Sequence, residues 1–327
     1  MTADHWQAVA LSRELRKRPL RVMHDGVPVV LFRAQGGISV LVDRWPHRMM
    51  PLSCGRVVED TLECPYHGWR FGTDGTCVAI PGHIGDLPRT RIARYAVTEQ
   101  QGAVFVARGQ PDALPYTHVM AHQSPALRLV KSSARGRLAD VAENILDATH
   151  THFTHKGLLR GLYARRQRVT VDVTGGQDWV EARYTGEDRQ DGLVSRLLDG
   201  ARTTTIGRFR HPGIAELEYW GPRGLVLATT FHLRQADAQT VAGIGWLAGP
   251  RQRVVGQIKA LAFKPLFAIA LAQDRRVLRA ASENAQLAGS PDPVIGPLDF
   301  LRRDIMAIIA GDPPASATAP RRHQIDL

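Results

Sequence analysis

The residues with the most chemistry to offer stand close together near the middle of the chain. Residues 143–155 read Glu-Asn-Ile-Leu-Asp-Ala-Thr-His-Thr-His-Phe-Thr-His, which places Asn144, Asp147, His150 and His155 at offsets of three, three and five. Asp147 and His150 share a helix face at that spacing. His150 and His155 do not: five residues turn about 140° around an ideal helix. They can meet on one metal only where the helix ends or distorts between them. Two histidines and one distant carboxylate form the ligand set of non-haem Fe(II) oxygenases, which leaves positions open for water, O2 and substrate. The competing reading is a run of surface histidines, and His152 is assigned to the surface or to the surroundings of the ligands.

A second set lies upstream. Asp43-Arg44-Trp45-Pro46-His47-Arg48 is followed, seventeen positions after His47, by Cys64-Pro65-Tyr66-His67-Gly68-Trp69. Cysteine and histidine three apart sit on one turn, and a second such turn would complete four ligands for zinc or an iron–sulfur cluster. In a Rieske centre two histidines hold one iron and two cysteines the other. His47, Cys64 and His67 fall at three of those four positions. The fourth holds Trp45, whose indole only donates a hydrogen bond and cannot ligate iron. Either Cys54 substitutes for it, or Trp45 fills the volume and no cluster forms. Cysteine and tryptophan codons differ by one base. Cys77 reads as a small buried apolar residue.

Together the two stretches resemble the Rieske non-haem iron oxygenases, most of all the group that includes vanillate and dicamba O-demethylases. The resemblance runs from Trp6 to about Gln110 for the Rieske part and over the remainder for the catalytic part. It implies that His47, Cys64 and His67 serve a [2Fe–2S] cluster and that His150 and His155 bind a mononuclear Fe(II). Asp147 and Asn144 take catalytic places, Asp147 bridging His150 to a Rieske histidine (His67 here) of a neighbouring subunit. The third iron ligand is assigned to Asp274, in Ala272-Gln273-Asp274-Arg275-Arg276, with a plain surface ion pair as the alternative and Glu283 as the fallback. The implied activity is mono-oxygenation of an aromatic or other apolar small molecule, by hydroxylation or O- or N-demethylation. O2 is the oxidant, and NAD(P)H electrons arrive through a reductase or ferredoxin. The implied assembly is a homotrimer. A cluster-deficient variant that keeps only the mononuclear iron, and a non-catalytic subunit, are the other readings.

The elements that must position these residues follow from the apolar pattern. Val29–Phe32, Ile38–Val42, Val57–Leu62, Trp69–Phe71, Val78–Ile80 and Ala103–Ala107 are short strand-like runs separated by turn residues. They predict an all-β domain over residues 1–110, closed by the stretch at Gln110–Pro111. Leu138 to His150 carries apolar residues at helical spacing. Strand patterns return at Val169–Val173, Trp179–Tyr184, Thr203–Phe209, Ala215–Trp220, Val226–Leu233 and Thr240–Leu247. A long helical pattern covers Val254 to Leu287, with Pro265 as a kink or start, and a short one covers Leu298 to Ile309. The tail from Gly311 is expected to be disordered. The prediction for residues 111–327 is an antiparallel sheet flanked by helices, a helix-grip-like catalytic domain, in an α+β chain.

Composition sets the outer limits. The 327 residues are 44% hydrophobic and 22% charged, an ordinary globular balance. Three cysteines do not make a disulfide framework. The longest apolar stretch, Leu261 to Ala272, is interrupted by Lys264 and Pro265 and is too short to span a bilayer. With no secretory signal at the N-terminus, the expected location is the cytoplasm. The net charge of +11 raises nucleic-acid binding. The basic residues are scattered, however, densest at Arg13, Arg16, Lys17 and Arg18 and next at Arg160, Arg165, Arg166 and Arg168. A solvated arginine-rich surface is the expectation, with neither nucleic acid nor membrane as partner and with an acidic electron-transfer protein as a possible docking partner. Phe209, Tyr219, Trp220, Phe231 and Trp246 suit an apolar substrate, and suit an ordinary core better.

Overall fold

The computed structural model describes residues 5–45, 47–121, 126–158, 166–186, 203–222, 224–249 and 255–327. Arg160 and Arg165 of the second basic cluster, and Val254 at the expected start of the long helix, lie outside them. The chain divides into two compact units, Met1–Tyr116 and Thr117–Leu327, a few residues past the expected linker.

The first unit is built of short antiparallel strands: β1 (Gln7–Leu11), β2 (Leu20–His24), β3 (Val27–Ala34), β4 (Gly37–Val42), β5 (Arg56–Val58), β6 (Thr61–Glu63), β7 (Arg70–Phe71), β8 (Cys77–Ala79), β9 (Ala96–Gln100) and β10 (Ala103–Ala107). They form three sheets, ordered β1-β10-β9, β2-β3-β4 and β5-β6-β7-β8. β3 explains why its sequence is a continuous apolar run rather than an alternating one. Val29 and Leu31 face a core with Val9, Leu15 and Val104, while Val30 and Phe32 face another with Leu41, Leu52, Leu62 and Phe71. Burial on both faces removes the polar alternation of a half-exposed strand. Val57–Leu62, expected as one strand, is a hairpin. β5 and β6 pair through a turn at Glu59 and Asp60, both with positive φ, as a tight hairpin turn requires. Glu-Asp is a weak turn signal beside Asn-Gly, so the bend leaves little trace in the sequence.

The second unit carries an eight-stranded antiparallel sheet. Its strands are β11 (Ala126–Arg135), β12 (Arg168–Gly175), β13 (Trp179–Thr185), β14 (Thr204–Arg210), β15 (Ile214–Gly221), β16 (Gly224–Asp237), β17 (Thr240–Gly249) and β18 (Arg321–Asp326). The order is β11-β17-β16-β15-β14-β13-β12-β18, so β12 to β17 run as a meander and the outer two strands close its edges. Its helices are α1 (Leu138–Leu146), α2 (Thr151–Thr154), α3 (Val255–Leu287) and α4 (Arg302–Ala310). α1 buries Val141, Ala142 and Leu146 against the sheet, in one core with Val171, Val180, Ala182, Phe209, Phe231 and Ile305. α4 is tied to α1 by Arg302, 4% exposed, which donates to Asp140 (2.6 Å) and Glu143 (2.9 Å). α3 continues through Pro265 and packs on β11. Among the described residues no helix is long and apolar enough to cross a membrane.

The tail from Gly311 is ordered, contrary to expectation. After a 3-10 turn at Ala315–Ala317, β18 pairs antiparallel with β12 from Arg168↔Asp326 to Val173↔Arg321. Its strand residues Arg-Arg-His-Gln-Ile-Asp show almost no apolar pattern, because an edge strand spends most of its side chains on solvent and ion pairs. Arg322 meets Asp172 at 2.5 Å and Arg168 meets Asp326 at 3.3 Å. Only Ile325 and the terminal Leu327 are buried there, 8% and 2% exposed. Deleting residues 312–327 removes both and leaves β12 as an open edge. At about 1.5–3 kcal/mol for each buried aliphatic side chain, the truncation costs on the order of 3–6 kcal/mol, read as a lowered urea midpoint.

Candidate metal centre

The chain breaks where the two histidines need it to. α1 ends at Leu146, and Asp147 leaves the helix with φ −74° and ψ 117°. Its carboxylate then organises the next turn. Oδ1 accepts from the Thr149 amide (2.6 Å) and hydroxyl (2.7 Å), and Oδ2 accepts from the His150 amide (3.1 Å). These bonds fix the turn that leads into the single turn of α2, with His150 before it and His155 after it. The imidazoles then face one another, Nε2 to Nε2 at 3.3 Å.

Asp274, on α3, completes the set. Its Oδ1 lies 3.0 Å from His155 Nε2 and 3.4 Å from His150 Nε2. Two nitrogens and one oxygen thus converge within 3.0–3.4 Å of one another. Donors at about 2.1 Å from an ion and at right angles around it stand about 3.0 Å apart, so the spacing fits neighbouring ligands of one metal. The place is enclosed: His155 is 2% exposed, and the His150 and Asp274 side chains 18% and 20%. Glu283 is exposed, nine residues further along α3.

Two contacts outside this set hold its geometry. His155 Nδ1 lies 2.8 Å from Gln273 Oε1, which makes Nδ1 the protonated nitrogen and leaves the Nε2 lone pair for a metal. His150 Nδ1 lies 3.3 Å from Asp147 Oδ2. Gln273 was not singled out from the sequence, and its adjacency to Asp274 was the available signal. Asn144 lies on α1 and lines a cavity of about 210 Å³ with Asp140, Glu143, Asp147, Asp299 and Phe300. Phe209, Phe231 and Trp246 are buried core residues, and the Trp220 indole donates to Glu218 (2.9 Å).

The electrostatics follow from enclosure and pairing. Burial alone lowers the His150 imidazole, but hydrogen bonds and charge from Asp147 and Asp274 outweigh it and push the group up to about 9. Burial raises Asp274, yet hydrogen bonds from His150 and His155 hold it below the usual carboxylate range. Asp147 is held low in the same way by His150 and Thr149.

In the first unit, His47 and His67 stand exposed at the tips of two loops, ring centroids 5.1 Å apart. Cys64 is 1% exposed, and Trp45 is also 1% exposed. The indole packs at 4.7 Å on both Trp69 and Phe71, and its Nε1 is buried without a hydrogen-bond partner among the described residues. Cys54 is exposed on the 3-10 turn Leu52–Cys54, whose inward residue is Leu52. Cys77 is buried, and burial pushes its thiol up. One thiolate, two imidazoles and an indole do not fit a cluster that needs two thiolates.

Three outcomes follow. Because a ligating imidazole must be unprotonated, Fe(II) or Co(II) affinity falls tenfold for each pH unit below about 9, as read by pH-dependent Co(II) absorption titration. Gln273→Ala weakens the same affinity by about 10–100-fold without displacing a ligand. Trp45→Ala, which empties a buried indole site, costs about 3–5 kcal/mol by denaturant unfolding.

Residues 5–114 match the family described as the Rieske [2Fe-2S] domain. The chain is 38% identical over 117 residues to the 4beta-methylsterol monooxygenase of Methylococcus capsulatus, covering 34% of this chain and 32% of that protein. It is 30% identical over 207 residues to the oxygenase component of dicamba O-demethylase from Stenotrophomonas maltophilia, covering 61% and 60%. It therefore spans from a third to three fifths of the length of these curated relatives. The crystal structure of dicamba monooxygenase bound to dicamba superposes with a TM-score of 0.78 at 18% identity, over 93% of this chain and 95% of that one, which shows a shared fold. The matched domain shows that residues 5–114 belong to the Rieske [2Fe-2S] domain family, and the chain as a whole shares its fold with dicamba monooxygenase.

Proposed function

We propose that this chain mono-oxygenates an aromatic or other apolar small molecule, with Fe(II) held by His150, His155 and Asp274. The observation that carries the reading is the enclosed convergence of two imidazole nitrogens and one carboxylate oxygen within 3.0–3.4 Å. Two histidines and a carboxylate on one face of an ion are the ligand set that leaves positions open for O2 and substrate. The names of the relatives support an aromatic substrate: 3-chlorobenzoate, toluene-4-sulfonate and dicamba systems are among them. Hydroxylation and O- or N-demethylation are the reaction types.

When bound, the iron supplies O2 binding and activation. The chain's own residues do the rest. Asp274 stays ionised and offers a charged oxygen. Gln273 holds His155 with Nε2 toward the ion, and Asp147 restrains His150 while shaping the turn that presents it. Burial of His155 limits water at the ligands. Electrons come from a separate protein donor, a reductase or ferredoxin served by NAD(P)H, and the assembly is a homotrimer. Three free thiols suit a cytoplasmic setting.

The test is a turnover assay on Fe(II)-loaded protein under 18O2, with a reductase–ferredoxin pair and a panel of hydroxylatable, O-methyl and N-methyl aromatics. The expected result is one labelled oxygen incorporated per turnover, with formaldehyde where a methyl group is lost. His155→Ala and Asp274→Ala are expected to lower turnover by more than about 100-fold, beyond the range for residues that only support ligands. Unlabelled product from a hydroxylated substrate, a demethylated product without formaldehyde, or equal turnover in Asp274→Ala, would contradict the reading.

A further inference from the structure

Two loops of the first unit are built to the same plan. In one, the Cys64 amide donates to Trp69 O (2.8 Å), and the Gly68 amide donates to Cys64 O (3.0 Å). In the other, the Trp45 amide donates to Met50 O (3.0 Å), and the Met49 amide donates to Trp45 O (2.8 Å). Both are closed by a residue with positive φ at the same step, Gly68 (70°) and Met49 (56°). Each carries a histidine at its exposed tip, His67 and His47. Trp45 is thus the backbone counterpart of Cys64. The fold still builds the place of a second cysteine, and the residue that occupies it is an indole.

We infer that Trp45 takes the place of a cluster ligand as a core side chain, so that this Rieske-fold domain assembles no [2Fe–2S] cluster. The indole does not stand aside for a substitute ligand. It is 1% exposed and shares a core with Leu52, Leu62, Cys64 and Phe71. Its ring lies 4.7 Å from Trp69 and Phe71 and 6.1 Å from His47, so the inner side of the histidine pair is closed by aromatic packing. Its Nε1 carries a proton and has no lone pair to give. Cys54 is on the exposed side of its turn, while both Cys64 and Trp45 point inward. Another copy of the chain carries the same indole. The domain keeps its sheets, both loops and its pair of exposed histidines, and it has exchanged a ligand position for packing.

The inference concerns the first unit alone and holds whatever the second unit catalyses. The test measures iron and acid-labile sulfide per chain in protein made with the cluster-assembly machinery and purified without oxygen. The native chain is compared with Trp45→Cys, Trp45→Phe and His155→Ala. The native chain is expected to contain no sulfide and about one iron, which His155→Ala loses. Trp45→Cys restores the second thiolate and is expected to gain about two sulfides and two irons, the content of a [2Fe–2S] cluster, with the EPR signal of the reduced centre. Trp45→Phe keeps an aromatic core without a ligand and is expected to fold and stay free of sulfide. About two sulfides per native chain would overturn the inference, whether or not any variant folds. A folded Trp45→Cys protein without sulfide would overturn the claim that Trp45 alone excludes the cluster. Native protein free of both sulfide and iron would leave this inference standing and contradict the proposed metal site instead.

Discussion

The second unit is organised around one demand: two imidazole nitrogens and a carboxylate oxygen must come within 3.0–3.4 Å of one another in an enclosed place. No regular helix places His150 and His155 together, so the chain must interrupt itself. Asp147 makes that interruption: it ends α1, and the same carboxylate that restrains His150 accepts from the Thr149 and His150 amides that lead into α2. α3 supplies the rest from two consecutive residues. Gln273 takes one nitrogen of His155 while Asp274 faces the other, so one imidazole is held between neighbours on the helix. The sheet, α1 and the ties from Arg302 keep these short pieces from moving independently.

The first unit shows the opposite balance. Its two matching loops present a histidine pair, but the inward position of one loop contributes to the core rather than to ligation. A buried indole with aromatic neighbours on two sides gains dispersion and area burial that a cysteine cannot match. Likeness to the Rieske domain and retention of its cluster are therefore separate questions here, and the side chain at position 45 bears on the second.

Much of this was legible in the sequence because chemistry leaves sharp spacing. The offsets joining Asn144, Asp147, His150 and His155 name the metal-binding turn, and Trp45 stands out because its neighbours fit a motif that it breaks. The inner strands β12 to β17 were legible to within a few residues, β12 and β13 because their burial alternates and β16 and β17 because they carry continuous buried runs. The outer strands were not. β18 offers solvent a row of arginines and a histidine, and β11 mixes Arg128, Lys131 and Arg135 with its apolar residues, so neither carries a strong pattern. The Glu59–Asp60 turn hid for a related reason: positive φ is held there by the pairing of β5 and β6 rather than by glycine or asparagine. Gln273 escaped notice because a single glutamine beside a carboxylate becomes informative only once His155 is placed opposite it.

The most direct test of the whole account is anomalous scattering at the iron edge from crystals of iron-replete native protein grown without oxygen. The account predicts one iron peak per chain, between His150, His155 and Asp274, and no iron between His47, Cys64 and His67. A peak at the second place, or an empty first place in iron-loaded crystals, would contradict it.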